Sequence, residues 1–207
     1  MIVTSNPPDD GTRDGSYLAA LAGRGTPLTV LTPMPRRWVP LLRGFLFLRH
    51  LLGAPEDLKR MSFIHFAHWS VLPRFPGQSR RSRYAYLLFR SDFNGAWGKY
   101  IDAFSLEIPT RMALIWGWSY GFPGALPTEP FRRYIRRNDL PVGHYWAAYP
   151  EASVTEIAAA LRVRDAYRAA FGDLDPAAAP AHPAWPRFLH DVQGDLATWE
   201  RDDDLAA

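Results

Sequence analysis

The hydrophobic and polar positions change period several times along the chain, and each change marks an element. TPLTVLTPMP reads as a short strand over residues 28–32, closed by Pro33 and Pro35. The period then becomes helical. Trp38, Leu41, Leu42, Phe45, Leu48 and Leu52 recur at the spacing of one helix face, while Arg36, Arg43 and His50 fall on another. Pro35 suits the start of that helix and Gly53 its end. Two aromatic and β-branched stretches follow, MSFIHFAHWSVL over 61–72 and YAYLLFR over 84–90, joined by the basic loop RFPGQSRRSR. A connection of that length predicts an antiparallel hairpin.

SDFNG opens a second helix, with Asp92 or Asn94 placed to cap it and Trp97, Tyr100, Ile101, Phe104 and Ile108 along its apolar stripe. Residues 109–141 read as an insertion: an apolar stretch MALIWGW, a turn YGFPG, and a basic helix FRRYIRRN. In that helix Phe131, Tyr134 and Ile135 should face inward and Arg132, Arg133, Arg136 and Arg137 outward. VGHYWAAY over 142–149 reads as a fourth strand. Ser153 and Glu156 form a capping box at the head of a helix that runs to about Phe171. Beyond the linker DPAAAPAHPAWP, Trp185, Phe188, Leu189, Val192, Leu196 and Trp199 mark a last amphipathic helix.

Strand, helix, strand, strand, helix, strand is the order of an α+β ferredoxin-like βαββαβ sheet. The expected organisation is a flexible leader over 1–25, the ferredoxin-like domain over 26–171, and a linker with a C-terminal helix over 172–207. Such a sheet covers one face with its own helices. The other would expose large aromatics unless something covers it, and a second copy in a homodimer is the common solution.

Composition narrows the chemistry. With 47% hydrophobic and 14% aromatic residues in 207, the chain can bury a core unaided. The absence of cysteine excludes a disulfide framework, a thiolate nucleophile and a Cys-ligated metal centre. The opening MIVTSNPPDDGTRDG is polar and does not resemble a signal peptide. The most apolar window, VPLLRGFLFLRHLLG, is broken by Arg43, Arg49 and His50 and falls short of a membrane span. The expected setting is therefore cytoplasmic, without a membrane. Arginine clusters at 36–37, 80–83 and 132–137, but a net charge of +3 favours a solvated surface over a nucleic-acid interface.

Histidine is the natural carrier of chemistry, as an acid/base group or a haem ligand. His65 and His68 lie three apart on one strand, so they point to opposite faces and cannot share a metal ion. The set Met61, Phe63, His65, Ala67, Trp69 and Val71 is the more apolar and should face the helices. His68, with Ile64, Phe66 and Ser70, would then face the open side, where His144 and Trp146 of the last strand join it. The commoner role for either histidine is structural, bonded to a backbone carbonyl. Arg90 and Asp92 end the third strand on the face of Tyr84, Tyr86 and Leu88. Arg90 there could hold a substrate carboxylate, or pair with Asp92 to fix the turn. Trp116, Trp118, Tyr120 and Phe122, with Tyr86 and Trp146, would wall a pocket for a flat hydrophobic ligand. No nucleophile elbow and no phosphate-binding glycine pattern occurs.

LTVLTPMP, IHFAHWSVLP and LLFRSDFNGAW, the last followed by a Y-x-D-x-F helix, together resemble a bacterial group related to dye-decolourising peroxidases. Within them the matching positions are His65, Phe66, Ala67 and Trp69, then Ser91, Asp92, Asn94 and Gly95. The chain departs from that pattern at His68, where the family has arginine, at Asp92, where it has asparagine, and at Ser119 and Tyr120, where it has His-Cys. The resemblance implies the dimeric α/β-barrel fold. It also implies a superfamily of haem peroxidases, chlorite-degrading haem enzymes, aldoxime dehydratases, and cofactor-free monooxygenases and cyclases, so fold alone does not name a reaction. The functional expectation is a small-molecule enzyme with redox or rearrangement chemistry on a hydrophobic substrate, haem-dependent or cofactor-free. A non-catalytic dimeric barrel that binds a ligand or partner protein is the alternative.

Overall fold

The computed structural model describes residues 25–53, 61–75, 77–79 and 82–197. The leader expected over 1–25 lies outside these but for Gly25; so do Arg80, Arg81 and Trp199. The chain divides into two compact units, Met1–Pro150 and Glu151–Ala207.

The first unit is built on a three-stranded antiparallel sheet of β1 (Gly25–Met34), β2 (Ile64–Leu72) and β3 (Ala85–Asn94), in the order β1-β3-β2. The hairpin of β2 and β3 forms as its pattern predicts. β1 is longer than the prolines suggested, because they sit where they do no harm. The carbonyls of Thr29 and Pro33 point to the outer edge, accepting from Leu140 N (2.7 Å) and Tyr120 N (2.8 Å). By strand alternation the missing N–H groups of Pro27 and Pro33 face that same edge, where no ladder bond is lost.

The fourth strand expected over 142–149 is not formed, so a complete βαββαβ sheet is not present among the described residues. One antiparallel bridge, Val30 to Asp139, takes the outer edge of β1. Leu140 turns its amide to β1, so the next hydrogen-bonded pair would join Val142 to Pro27, which has no amide hydrogen to complete it. The chain instead brings Tyr145 to the start of β1: a Cβ on Gly25 would fall 2.8 Å from the Tyr145 hydroxyl, so Gly25 is there for the close approach.

One face of the sheet meets four helices, α1 (Val39–Leu51), α2 (Trp97–Glu107), α3 (Pro109–Trp116) and α4 (Thr128–Asn138), around a common core. Phe93 stacks on Tyr100 at 3.7 Å, and Phe89 meets Trp116 edge-on at 5.1 Å. Neither Asp92 nor Asn94 caps α2, contrary to the sequence expectation. Pairing with Pro27 and Gly25 keeps both in β3, and the chain turns at Gly95 (φ 91°) into Ala96, which has no side-chain cap. α4 buries Phe131, Tyr134 and Ile135 as its pattern predicts. Its arginines are not all free in solvent: Arg132 Nε donates to Asp102 of α2 (2.8 Å), and Arg136 lies over the Trp97 ring.

The second unit pairs α5 (Val154–Phe171) with α6 (Trp185–Leu196). Phe188 meets Tyr167 and Phe171 edge-on, and Arg162 bonds Asp195 across the pair. The capping box is present: Ser153 Oγ accepts from Glu156 N at 3.2 Å, and the buried Glu156 carboxylate accepts from Ser153 N. Ser153→Ala should therefore cost about 1 kcal/mol of stability in this unit. Chemical denaturation followed by circular dichroism measures it, and an unchanged midpoint would show that the cap contributes nothing.

Candidate functional site

The face of the sheet turned away from the helices collects most of the chemistry. Directly paired residues on adjacent strands share a face, so the registers give cross-strand rows. Thr29, Arg90 and His68 form one row, Pro27, Asp92 and Phe66 the next, and Leu31, Leu88 and Ser70 a third on the other side. Pro33, Tyr86 and Leu72 extend the face further. His68 and Arg90 are exposed, Phe66 is 48% exposed, and the imidazole of His68 stacks on the Phe66 ring with centroids 6.4 Å apart.

A bulge between Ile64 and Phe66 decides who belongs to this face. In a regular strand Ile64 would join Phe66 and His68, as its spacing suggested. The extra residue, His65, moves Ile64 opposite Phe93 and into the core. His65 itself hydrogen-bonds the Asn94 side chain, and burial holds its imidazole below the usual histidine range. A group so depressed stabilises the fold fully above its ordinary value near 6.5, and that contribution is lost as pH falls through the folded-state value. His65→Gln should flatten the loss of stability on acidification below about pH 6.5. Thermal melts across that range, wild type against variant, read the difference; parallel pH profiles would exclude His65 as the source.

Asp92 is the buried acid of the site, only 5% exposed. Burial pushes its carboxyl above the ordinary range, while the charges of Arg90 and His68 pull it back. Tyr145 stands close enough that the Asp92 charge, after burial, helps to push its phenol up. The face therefore carries a cation, an imidazole, a partly desolvated carboxyl and a phenol within electrostatic reach of one another.

Of the residues the sequence pointed to, the structure gathers His68, Arg90, Asp92 and Tyr86 on this face and scatters the rest. His144 and Trp146 lie in coil, where strand alternation does not apply, and Trp146 is 77% exposed. The expected aromatic wall divides. Trp116 is 2% exposed in the core against Trp69, Phe89 and Phe131. Trp118 leans on Trp38, half-exposed Tyr120 meets Tyr84, and Phe122 meets Phe131. The spacing failed because α3 ends at Trp116 and the following turn sends each ring in its own direction. Phe66 and Tyr145 were missed as site residues. Phe66 was legible from alternation with His68, whereas nothing local marks Tyr145.

Among the described residues no three His, Asp or Glu side chains gather to hold a metal ion, and no helix is long and apolar enough to cross a membrane. Comparison with protein-family models, with curated proteins and with solved structures gives no match to this chain.

Proposed function

We propose that this sheet face binds a small hydrophobic organic acid and moves a proton on it. The observation that carries this reading is the exposed cross-strand pair of His68 and Arg90, flanked by the Phe66 ring. Arg90 holds the acid through paired charge-assisted hydrogen bonds. Phe66, Tyr86 and Leu88 take the apolar body. His68 takes up or returns the proton, and Asp92, close to both His68 and Arg90, offsets the charge that forms on the imidazole.

A haem centre fits these residues poorly. Among the described residues the strand registers place one histidine on this face, and its exposed imidazole stacks on Phe66 with no enclosing apolar wall for a porphyrin. We therefore read the site as cofactor-free. The finer fold reading is a ferredoxin-like half-barrel, with Asp139 and Leu140 as a stub of the fourth strand and a second copy covering the open face. The aromatic and apolar residues on that face and the bridge to Val30 support it.

Calorimetric titration with a panel of aromatic and branched carboxylic acids tests the proposal. Arg90→Met should weaken binding of the acids at least about tenfold, the worth of a charged hydrogen-bond pair. The corresponding amides should bind wild type as weakly as the variant binds acids. Equal binding of acids by wild type and variant would sink the reading, and a Soret band in the purified protein would overturn its cofactor-free form. Sedimentation at micromolar concentration should give a dimer of the 23.5 kDa chain; a pure monomer would remove the half-barrel.

A further inference from the structure

α1 presents its apolar side chains outward. It buries Val39 and Leu42, yet Leu41, Phe47, Leu48 and Leu51 are 52–65% exposed, and Leu52, just past its end, is 66% exposed. At about 100° per residue these positions, with Gly44, form one unbroken stripe on the side opposite Leu42. Arg43 and His50 border the stripe on one flank, and Arg49 lies beyond Phe45 on the other, toward Leu42. Arg36 and Arg37 stand at its head, and Arg36 donates to the carbonyls of Pro73 and Ser82, the neighbours of Arg74 and Arg83.

Residues 33–53 contain no Asp or Glu, and among the described residues no carboxylate pairs with this rim. Among the described residues Arg43 and Arg49 bond backbone carbonyls, of Val71 and Gly53, and no carboxylate. The helix thus combines an exposed apolar stripe with a cationic border, the two features that hold a helix in the plane of a lipid interface.

We propose that α1 docks the protein on an anionic phospholipid surface, the stripe entering the acyl boundary and the arginines meeting the headgroups. A second copy suits the stripe less well, since pairing two such helices would bring two arginine borders together without an acid between them. The arginines that break the sequence as a membrane span are the ones that favour lying on the membrane.

Cosedimentation of the full chain with vesicles tests this. Binding is expected to vesicles of equal parts phosphatidylcholine and phosphatidylglycerol, to weaken as salt rises, and to be at least about tenfold weaker to phosphatidylcholine alone. The combined variant Phe47→Ser, Leu48→Gln and Leu51→Gln should lose binding by about tenfold or more while melting at the wild-type temperature. Failure of wild type to bind the anionic vesicles, or equal binding by the variant, overturns the proposal. A large fall in the variant's melting temperature would mean that the chain itself already covers the stripe. A dimer that dissociates in the variant, with vesicles ignored, would assign it to a second copy. Either result overturns lipid docking.

Discussion

Trp116→Ala is expected to destabilise the first unit by about 3–5 kcal/mol, the range for emptying a large aromatic site in a packed core. Three rings, Trp69, Phe89 and Phe131, converge on this indole and cannot all collapse into the space it leaves. Its N–H has no acceptor among the described residues, so the loss is one of packing rather than of a hydrogen bond. Trp116→Phe, which keeps a ring in the site, should cost clearly less. Denaturant unfolding of both variants makes the comparison. If alanine leaves stability intact and alters ligand binding instead, Trp116 belongs to a pocket wall after all.

His68→Ala should lower turnover of a bound acid about a hundredfold while leaving its affinity close to that of wild type, the usual signature of losing a general acid/base. The imidazole is exposed, so the variant should melt near the wild-type temperature. Its partner on the neighbouring strand, Arg90, should behave in the opposite way and change affinity first. That split between binding and turnover separates an enzyme from a ligand-binding barrel: a barrel would show affinity effects for both and turnover for neither.

Much of this was legible before folding because local patterns carried it. The hairpin of β2 and β3, the stripe of α2, the inward face of α4 and the Ser153–Glu156 box all depend on residues close in sequence. Alternation likewise put Arg90 with Asp92 on one face of β3 and His68 with Phe66 on one face of β2, but the register that joins the two sets is not local. The failures share a different cause. The bulge at His65 inserts one residue into a period of two, which no local pattern announces and which sends Ile64 to the other face. VGHYWAAY has the pattern of a fourth strand, yet pairing needs a receptive edge, and Pro27 of β1 offers no amide at the next pair. The aromatic run of 116–122 has no period that fixes where its rings go once α3 stops. Outward exposure of α1 was hidden because its two apolar flanks read as one amphipathic stripe.

The edge of β1 carries a consequence for how the protein can associate. An open strand edge is a template on which another chain can add a strand through its backbone, whatever its side chains. Here the carbonyls of Thr29 and Pro33 are already taken by amides of Leu140 and Tyr120, and Val71 of β2 is held by the Arg43 guanidinium. The rims are guarded with single bonds instead of a full strand. Self-association is thereby directed away from backbone templating, which any sequence could exploit, and toward face-to-face contact, which depends on side chains such as Phe66 and Leu88.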